Sequence, residues 1–355
     1  MTELLVGTKK WLFVLEGSPA GGFSVAARAF AGDPVEYAMR DLRSGRLLAS
    51  VTSAFYGPKI FVADDASGEW EQAAGPALPE GGEKALERIW TIVPGEADGQ
   101  LWAGGDPGVL FESRDGGASW ELNRALWEHP TRPRWKPGGG GLCLHSIVPW
   151  PGEPDRLALG ISAVGVWLTS DGGATWSNGN DGLGARYLPD QPAADDLTLC
   201  VHNMQRSAVR PERMFMQFHG GVYRSDDAGE SWIDVGAGLP SDFGFPLAVD
   251  PADPDSAYVI PLGGAEDRTT PEGRVRVYET RDAGGSWTPR GDGLPQDHAY
   301  LTVLRQAFTS AKDGGDLELY FGATSGDVFA SGDAGRSWAS AAAHLPPVLS
   351  ITATA

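Results

Sequence analysis

The hydrophobic positions of this chain fall in short runs that are separated by turn-forming residues. At the amino end, three such runs follow one another as ELLVGT, WLFVLE and FSVAARAF. Short runs rich in β-branched and aromatic residues predict strands, and the glycines and prolines between them predict turns. The chain contains 49 Gly and 26 Pro, and no long segment follows the helical period. The pattern therefore predicts an all-β fold.

The predicted strands group into units of four. One unit has an inner strand LTLCVHNMQ at 197–205, a second strand RMFMQFH at 213–219 and a third strand GVYRSDD at 221–227. Its fourth strand begins at Trp232. Four-stranded units are typical of the blades of a β-propeller.

An octet recurs between the third and fourth strands of these units. Five copies, SRDGGASW, TSDGGATW, SDDAGESW, TRDAGGSW and SGDAGRSW, end at Trp120, Trp176, Trp232, Trp287 and Trp338. A sixth, ADDASGEW, ends at Trp70, and a seventh, EGSPAGGF, keeps only the turn composition and Phe23. Successive aromatic residues lie 47 to 56 positions apart, which indicates an array of supersecondary units. We predict a seven-bladed β-propeller.

The octet has its own physical logic. Its Asp can accept hydrogen bonds from turn N–H groups, its Gly supplies positive φ, and its Trp covers the turn. One copy in each repeat suits a structural role better than a catalytic one. We therefore interpret these Asp residues as structural.

The octet is the Asp-box, or BNR repeat, and the chain resembles the bacterial BNR-repeat propellers that are labelled sialidase-like or glycosyl hydrolase-like. Asp-box proteins also include xyloglucan-active glycosidases, sortilin-like receptors and a photosystem-assembly factor, so the resemblance implies a fold and not an activity. Sialidases are six-bladed and carry an Arg-Ile-Pro signature. Here ERIW at 87–90 keeps Arg-Ile without the Pro. No sialidase residue is therefore carried over.

The two ends of the chain predict how the ring closes. Residues 1–30 supply three strands, which correspond to the second, third and fourth strands of a blade. The last segment, PVLSITATA at 347–355, supplies the missing inner strand. Such a closure leaves no open sheet edge. We predict one domain, 1–355, whose first blade combines residues 1–30 with the C-terminal strand 347–355.

Composition narrows the classes of function. A formal net charge of −19 disfavours a nucleic-acid-binding face and attraction to an anionic membrane. No apolar run is long enough to span a bilayer. Two cysteines do not form a disulfide framework, and the start has no signal-peptide pattern, so we expect a cytoplasmic protein. The oligomeric state is not indicated.

The long insertions indicate which face of the ring carries function. They lie at 121–141, 177–196 and 263–275, and the alternation of strands brings all three to the face opposite the octets. Loops that are elaborated on one face of a rigid scaffold commonly bind ligands. We therefore expect a small-molecule site at the axial mouth on this face.

A duplicated Cys-x-His motif is the strongest chemical signal. Cys143 and His145 match Cys200 and His202, because each His lies 11 residues before the Arg of the following turn. His219 ends a second strand on the same face. We predict that these five residues line the mouth, with His145, His202 and His219 as catalytic candidates. A transition-metal site for Zn or Cu, a metal-free proton-transfer cluster and a purely structural role all stay open.

A second group of candidates would contact the substrate. The insertion WEHPTRPRWKPGGGG contributes Trp127, Arg134 and Trp135, which suit sugar stacking or anion binding. The alternative is a lid held in place by its Trp residues. Arg88 and Trp90 align with the first Cys-x-His motif, and His298 lies at the entry to another inner strand.

Two functions from different classes follow. The first is a His-based or metal-assisted hydrolase or lyase that acts on a polar or sugar-like molecule at the mouth. The second is a non-catalytic scaffold that binds a protein or peptide. The concentration of Cys, His and Trp near the inner strands favours the small-molecule site.

Overall fold

The computed structural model describes residues 1–79, 85–188, 197–312 and 315–354. Within these residues the chain forms 28 strands, one short α-helix and two single 3₁₀ turns. Part of the predicted insertion at 177–196 lies outside the described residues. The architecture is all-β, and no described helix is long and apolar enough to cross a membrane.

The elements follow one another in short steps. The first eleven strands are β1 (Thr2–Thr8), β2 (Leu12–Ser18), β3 (Gly22–Ala29), β4 (Val35–Arg40), β5 (Leu47–Ser53), β6 (Gly57–Ala63), β7 (Glu71–Gln72), β8 (Arg88–Pro94), β9 (Leu101–Asp106), β10 (Val109–Ser113) and β11 (Glu121–Leu122). The helix and the two 3₁₀ turns are α1 (Arg124–Trp127), Arg132–Arg134 and Pro271–Gly273.

The middle strands are β12 (Leu144–Trp150), β13 (Glu153–Ile161), β14 (Gly165–Thr169), β15 (Ser177–Asn178), β16 (Val201–Arg206), β17 (Met214–Phe218), β18 (Gly221–Ser225) and β19 (Ile233–Asp234). The remaining strands are β20 (Phe243–Asp250), β21 (Asp253–Leu262), β22 (Val277–Thr280), β23 (Thr288–Arg290), β24 (Val303–Ala311), β25 (Glu318–Ala323), β26 (Val328–Ser331), β27 (Ala339–Ala342) and β28 (Val348–Thr354).

Strands that follow one another in the chain pair antiparallel within six sheets. Five sheets have four strands each, β4–β7, β8–β11, β12–β15, β16–β19 and β20–β23. A sixth has eight strands in the order β27-β26-β25-β24-β28-β1-β2-β3. Its two halves are joined by a single parallel pair, Gln306 with Ser350. Short four-stranded sheets that succeed one another in sequence are the arrangement of a β-propeller.

The core lies between neighbouring sheets. All five residues of β17 are buried, because this strand packs against a sheet on each side. One apolar cluster joins Phe215 and Val222 to Leu247 and Trp287 of the next sheet. The octet Trp therefore contributes to the contact between sheets as well as covering its own turn.

The octets connect the third and fourth strands and share one hydrogen-bond pattern. In the copy at 225–232, the Ser225 hydroxyl donates to Asp227 at 2.7 Å and accepts from the Gly229 N–H at 2.8 Å. The Asp227 carboxylate also accepts from the Ser231 N–H at 2.9 Å. The four other complete octets repeat these contacts. The turn is thus closed by side chains of its own sequence.

The strand at the carboxyl end pairs with the strand at the amino end. β28 runs antiparallel to β1 from Glu3–Thr354 to Thr8–Val348. The pairing leaves neither strand as an edge, since β28 also meets β24.

A β-bulge recurs in the first strand of each four-stranded sheet. Between two successive pairs of the ladder, the first strand advances by two residues while the second strand advances by one, so that one residue of the first strand has no partner. This occurs in β4, β8, β12 and β16. The extra residues are Glu36, Trp90, His145 and His202. β20 has a similar irregularity around Phe245, and β24 has a longer one around Arg305. A bulge leaves its extra residue unpaired and changes the direction of that side chain. In these inner strands the extra residues are of different chemical types.

Candidate functional site

The structure brings together three of the predicted residues, Cys200, His202 and His219, which we call the mouth triad. Their potential ligand atoms all lie within 4.8 Å of one another. Cys200 immediately precedes β16, His202 is the bulged residue of β16, and His219 immediately follows β17. The His219 N–H donates to the Cys200 carbonyl at 3.0 Å, which fixes the two backbones next to each other.

The imidazole of His202 is buried and oriented by the neighbouring sheet. Its Nδ1 lies 2.6 Å from the Gly244 carbonyl oxygen. A carbonyl only accepts, so Nδ1 carries the proton and Nε2 keeps a lone pair. Burial, and then the positive charge of Arg305, hold the pKa of His202 well below its usual range. His202 is therefore a neutral imidazole with one nitrogen available for a ligand.

His219 lies among aromatic rings. Its ring centre is 4.1 Å from that of Tyr187, 5.1 Å from that of Phe243 and 5.1 Å from that of His202. Burial lowers the pKa of His219, and the nearby Asp242 opposes this shift. The Tyr187 hydroxyl accepts from the Cys200 N–H at 3.0 Å and donates to the Thr198 carbonyl at 3.1 Å. Tyr187 thus connects the two sides of the triad.

Cys200 supplies the third potential ligand. It is a free, half-buried cysteine. Burial raises the pKa of its thiol, whereas the positive charge of Arg305 lowers it. A cation at the triad would favour the thiolate further, because it offers a positive charge in direct contact with the sulfur.

His145 and Cys143 do not join the triad. The Nε2 of His145 donates to the Val201 carbonyl at 2.9 Å, and its Nδ1 lies 3.0 Å from the Ser146 hydroxyl. Both nitrogens of His145 are therefore engaged. Cys143 is buried, and its Sγ lies 3.2 Å from the Gly140 carbonyl oxygen and 3.6 Å from Asp106. Burial raises the pKa of the Cys143 thiol to about 12, and Asp106 adds to this shift.

The matching registers of the two motifs have a structural reason. His145 bonds the carbonyl before His202, and His202 bonds the carbonyl before Phe245, the corresponding position of the next sheet. The two histidines therefore repeat one contact between adjacent inner strands. They make this contact with different nitrogens: His145 uses Nε2, and its Nδ1 lies near Ser146, whereas His202 uses Nδ1.

Arg305 lies beside the triad, and the sequence signal for it is weak. Its guanidinium carbon lies 4.6 Å from the ring centre of Phe245 and 5.7 Å from that of Trp90. It makes no ion pair with a described residue, and its buried Nε has no hydrogen-bond partner there. In the sequence, the one feature that points to Arg305 is its position in an inner strand, which corresponds to the positions of His145 and His202.

Arg88 and Trp90 lie close to this guanidinium. The guanidinium carbon of Arg88 is 4.7 Å from the ring centre of Trp90, and its Nε is 3.3 Å from the Glu36 carboxylate. The buried Nε1 of Trp90 has no hydrogen-bond partner among the described residues. Arg88 is thus paired with an acid, whereas Arg305 is not.

Two side-chain amides connect inner strands near these residues. The Asn203 amide donates to the Arg305 carbonyl at 2.8 Å, and the Gln306 amide donates to the His145 carbonyl at 2.8 Å. These bonds join inner strands that are not neighbours in the sheet order. An axial cavity of about 230 Å³ is lined by residues of six inner strands. A larger depression of about 550 Å³ lies on the octet side, away from the triad.

The aromatic insertion folds against the outer part of its sheet. Trp135 is buried and packs with its ring centre 5.1 Å from that of Trp167, and Trp127 is half-buried. Arg132 lies over both, at 4.3 Å from the ring centre of Trp127 and 4.8 Å from that of Trp135. Arg134 is exposed. Trp135 and Arg132 are thus held by contacts within the insertion and with Trp167 of β14.

His298 lies on the surface. Its side chain is 84% exposed, and its Nε2 is 3.6 Å from Asp297. No contact joins it to the mouth triad among the described residues.

Comparisons with known proteins support the fold. No family model matches the chain. It is 22% identical over 315 residues to an oligoxyloglucan-reducing end-specific xyloglucanase of Emericella nidulans, covering 76% of this chain and 35% of that protein. The chain thus spans about a third of the length of this curated relative.

Solved structures give the same result. Apo AztD from Citrobacter koseri superposes with a TM-score of 0.57 at 13% identity, over 99% of this chain and 98% of that one. An ancestral GH74 enzyme superposes with a TM-score of 0.53 at 15% identity, over 86% of this chain and 38% of that one. These likenesses confirm the prediction of an all-β propeller fold.

Proposed function

We propose that this propeller binds a small polar molecule at its mouth, and that the mouth triad holds a transition metal that assists hydrolysis or elimination. The single observation behind the proposal is the convergence of Cys200, His202 and His219 within 4.8 Å. No other group of three His, Cys, Asp or Glu side chains this compact occurs in the described part of the chain.

The donor set fits Zn²⁺ or Cu. Thiolate and imidazole are ligands that both metals accept, and three protein ligands leave one position of a tetrahedral zinc ion for water or substrate. Zn–S near 2.3 Å and Zn–N near 2.0 Å place bound ligand atoms roughly 3.3–3.6 Å apart. The ligand atoms of the triad lie within 4.8 Å of one another, so binding would require them to move closer by at most about 1.5 Å.

The surroundings of the triad also favour metal binding. The Gly244 carbonyl holds the proton of His202 on Nδ1, as backbone carbonyls behind metal-binding histidines commonly do. Both triad histidines have lowered pKa values because of burial, so they are neutral and available at neutral pH. A metal with an open position would supply a bound hydroxide or polarise a carbonyl.

Metal titration tests the proposal. Chelator-treated protein is titrated with Zn²⁺ by calorimetry, and Cys200→Ser and His219→Gln are compared with the wild type. We expect one Zn²⁺ per chain, and a loss of affinity of at least about 100-fold in each variant, because removing only an outer contact costs about 10–100-fold. Cys143→Ser is the matched control, since that thiol lies outside the triad, and its affinity should be unchanged.

Activity is tested on the metal-loaded protein with a panel of chromogenic glycosides and esters. Turnover that disappears on chelation, returns with Zn²⁺ and is absent in Cys200→Ser would support the assisted reaction. Failure of the wild type to bind Zn²⁺ or Cu at micromolar concentration would refute the metal site.

We also propose that the ring is a seven-bladed propeller of the Asp-box type. Supporting this count, the eight-stranded sheet divides into β24–β27 and β28 with β1–β3 at one residue pair. The shared octet hydrogen bonds support the Asp-box assignment. A crystal structure with a different number of blades would contradict it.

A further inference from the structure

We propose that Arg305 and Trp90 form a subsite for an oxyanion, so that the ligand of the mouth carries a carboxylate or phosphate group. This inference rests on the proposed function, because it names the chemical class of the molecule bound at the same mouth. It is carried by two unsatisfied donors and not by the triad.

The first observation is the pair of donors. The Arg305 Nε–H and the Trp90 Nε1–H are both buried and have no hydrogen-bond partner in the described part of the chain. Both groups can only donate. They belong to side chains in mutual contact, with the guanidinium carbon 5.7 Å from the indole centre. Buried donors without partners are costly, so an acceptor that reached either group would form a hydrogen bond that the protein does not supply.

The second observation is the charge of the mouth. The chain has a net charge of −19, yet Arg305 makes no ion pair with a described acid. Its neighbour Arg88 is paired with Glu36. A guanidinium without an acidic partner favours a ligand of opposite charge, and its fork matches the oxygens of a carboxylate or phosphate.

The third observation is how rigidly Arg305 is held. Its backbone lies in the long bulge of β24. Between the pairs Val303–Ala323 and Phe308–Phe321, β24 advances by five residues and β25 by two. Asn203 fixes the Arg305 carbonyl at 2.8 Å. Phe245 supports one side of the guanidinium at 4.6 Å. Preorganised donors lose little conformational entropy on binding, which is what an anion site needs.

The subsite also fits the triad next to it. Phe245 contacts both the Arg305 guanidinium, at 4.6 Å, and the His202 ring, at 4.8 Å. A divalent cation at the triad and a guanidinium across this ring would repel each other. An anionic group between them would offset that repulsion, so one ligand can engage both sites.

The experiment uses chelator-treated full-length protein, so that its result does not depend on the metal. The indole ¹H–¹⁵N signal of Trp90, assigned with Trp90→Phe, is followed while sodium acetate or inorganic phosphate is added at constant ionic strength. We expect a saturable shift of this signal with at least one of the two anions, and which one binds identifies the group. Chloride should give no saturable shift.

Variants separate a built subsite from general attraction. Arg305→Gln should raise the Kd at least about tenfold, because a charge-assisted hydrogen bond is lost. Arg305→Lys, which keeps the charge and removes the fork, should weaken binding as well. Arg268→Gln is the matched control: it removes one charge at 5.7 Å from the same Phe245 ring, but from an exposed side chain.

The outcomes are distinct. Absence of a saturable shift with both anions overturns the subsite, whatever the triad binds. An equal loss in Arg268→Gln and Arg305→Gln overturns it too, because attraction by net charge then explains the binding. Saturable anion binding in a protein that binds no metal would refute the metal site alone and leave this inference standing.

Discussion

At the scale of single residues, burial acts in opposite directions on the members of the mouth triad. It lowers the pKa of His202 and of His219, because the imidazolium form is desolvated. It raises the pKa of the Cys200 thiol, because the thiolate is desolvated. The apo triad at neutral pH therefore has two neutral imidazoles and one protonated thiol.

This protonation state predicts the pH dependence of metal binding. Because the pKa values of both imidazoles are lowered, they stay neutral at pH values at which a free histidine is protonated. Protons therefore compete only weakly with the metal for these nitrogens. The thiol must lose its proton, so Zn²⁺ affinity should increase as the pH rises through neutrality, with release of about one proton per metal ion. Calorimetry in two buffers with different ionisation enthalpies measures that release. Cys200→Ser should release none, and equal proton release in both proteins would contradict the assignment.

A second prediction at this scale concerns the octet turn. Ser225 is buried, and its hydroxyl satisfies the Gly229 N–H. Ser225→Ala leaves that buried donor without a partner and should lower the free energy of unfolding by about 1–3 kcal/mol, measured by urea denaturation. Ser231→Ala, at a more exposed position of the same turn, should cost less. If the two losses were equal, burial of the donor would not be the cause.

At the scale of elements, the sequence predicts the strands better than it predicts the site. The octets and the apolar runs mark each third and fourth strand, because local turn chemistry and period-two patterns are written in neighbouring residues. Neighbouring residues do not indicate where a bulge occurs, because a bulge is a property of the pairing between two strands. The sequence therefore shows that His145 and His202 are equivalent, but not that only His202 meets His219.

The same reason explains Arg305. Its importance comes from contacts with Phe245 and Trp90, which belong to other sheets and are far away in sequence. For the aromatic insertion, composition alone left a ligand wall and a lid equally open. The contact of buried Trp135 with Trp167 settles how that residue packs.

Pairing of β28 with β1 predicts a large effect of truncation. A chain that ends at Pro347 lacks β28 and exposes the edges of β1 and β24. We expect its melting temperature to fall sharply, because buried residues such as Val348 and Ile351 are lost from the core. A synthetic peptide of residues 346–354 added in excess should restore part of the loss. An unchanged melting curve would contradict a role for β28 in closure.

At the scale of the whole molecule, five octets place the same carboxylate in the same turn. Hydrogen bonds from Thr175 lower the pKa of Asp171 to about 2, and those from Ser286 lower the pKa of Asp282. The pKa values of Asp115, Asp227 and Asp333 are lowered as well: burial alone would raise them, but the octet hydrogen bonds outweigh it. Five downward pKa shifts therefore act in the same direction on the stability of one molecule.

The sum of these shifts predicts acid unfolding. A carboxyl whose folded pKa is depressed contributes stability that is fully present above its unfolded pKa, near 3.9, and is lost as the pH falls through its folded value. The melting temperature should therefore be steady from about pH 7 to 5 and decrease steeply between about pH 4 and 2. Calorimetric scans across this range measure it. Asp171→Asn should melt lower at pH 6 and lose less on acidification than the wild type, since one of the five titrating carboxyls is gone. A wild-type melting temperature that stayed level down to pH 2 would show that the octet carboxylates do not couple protonation to folding.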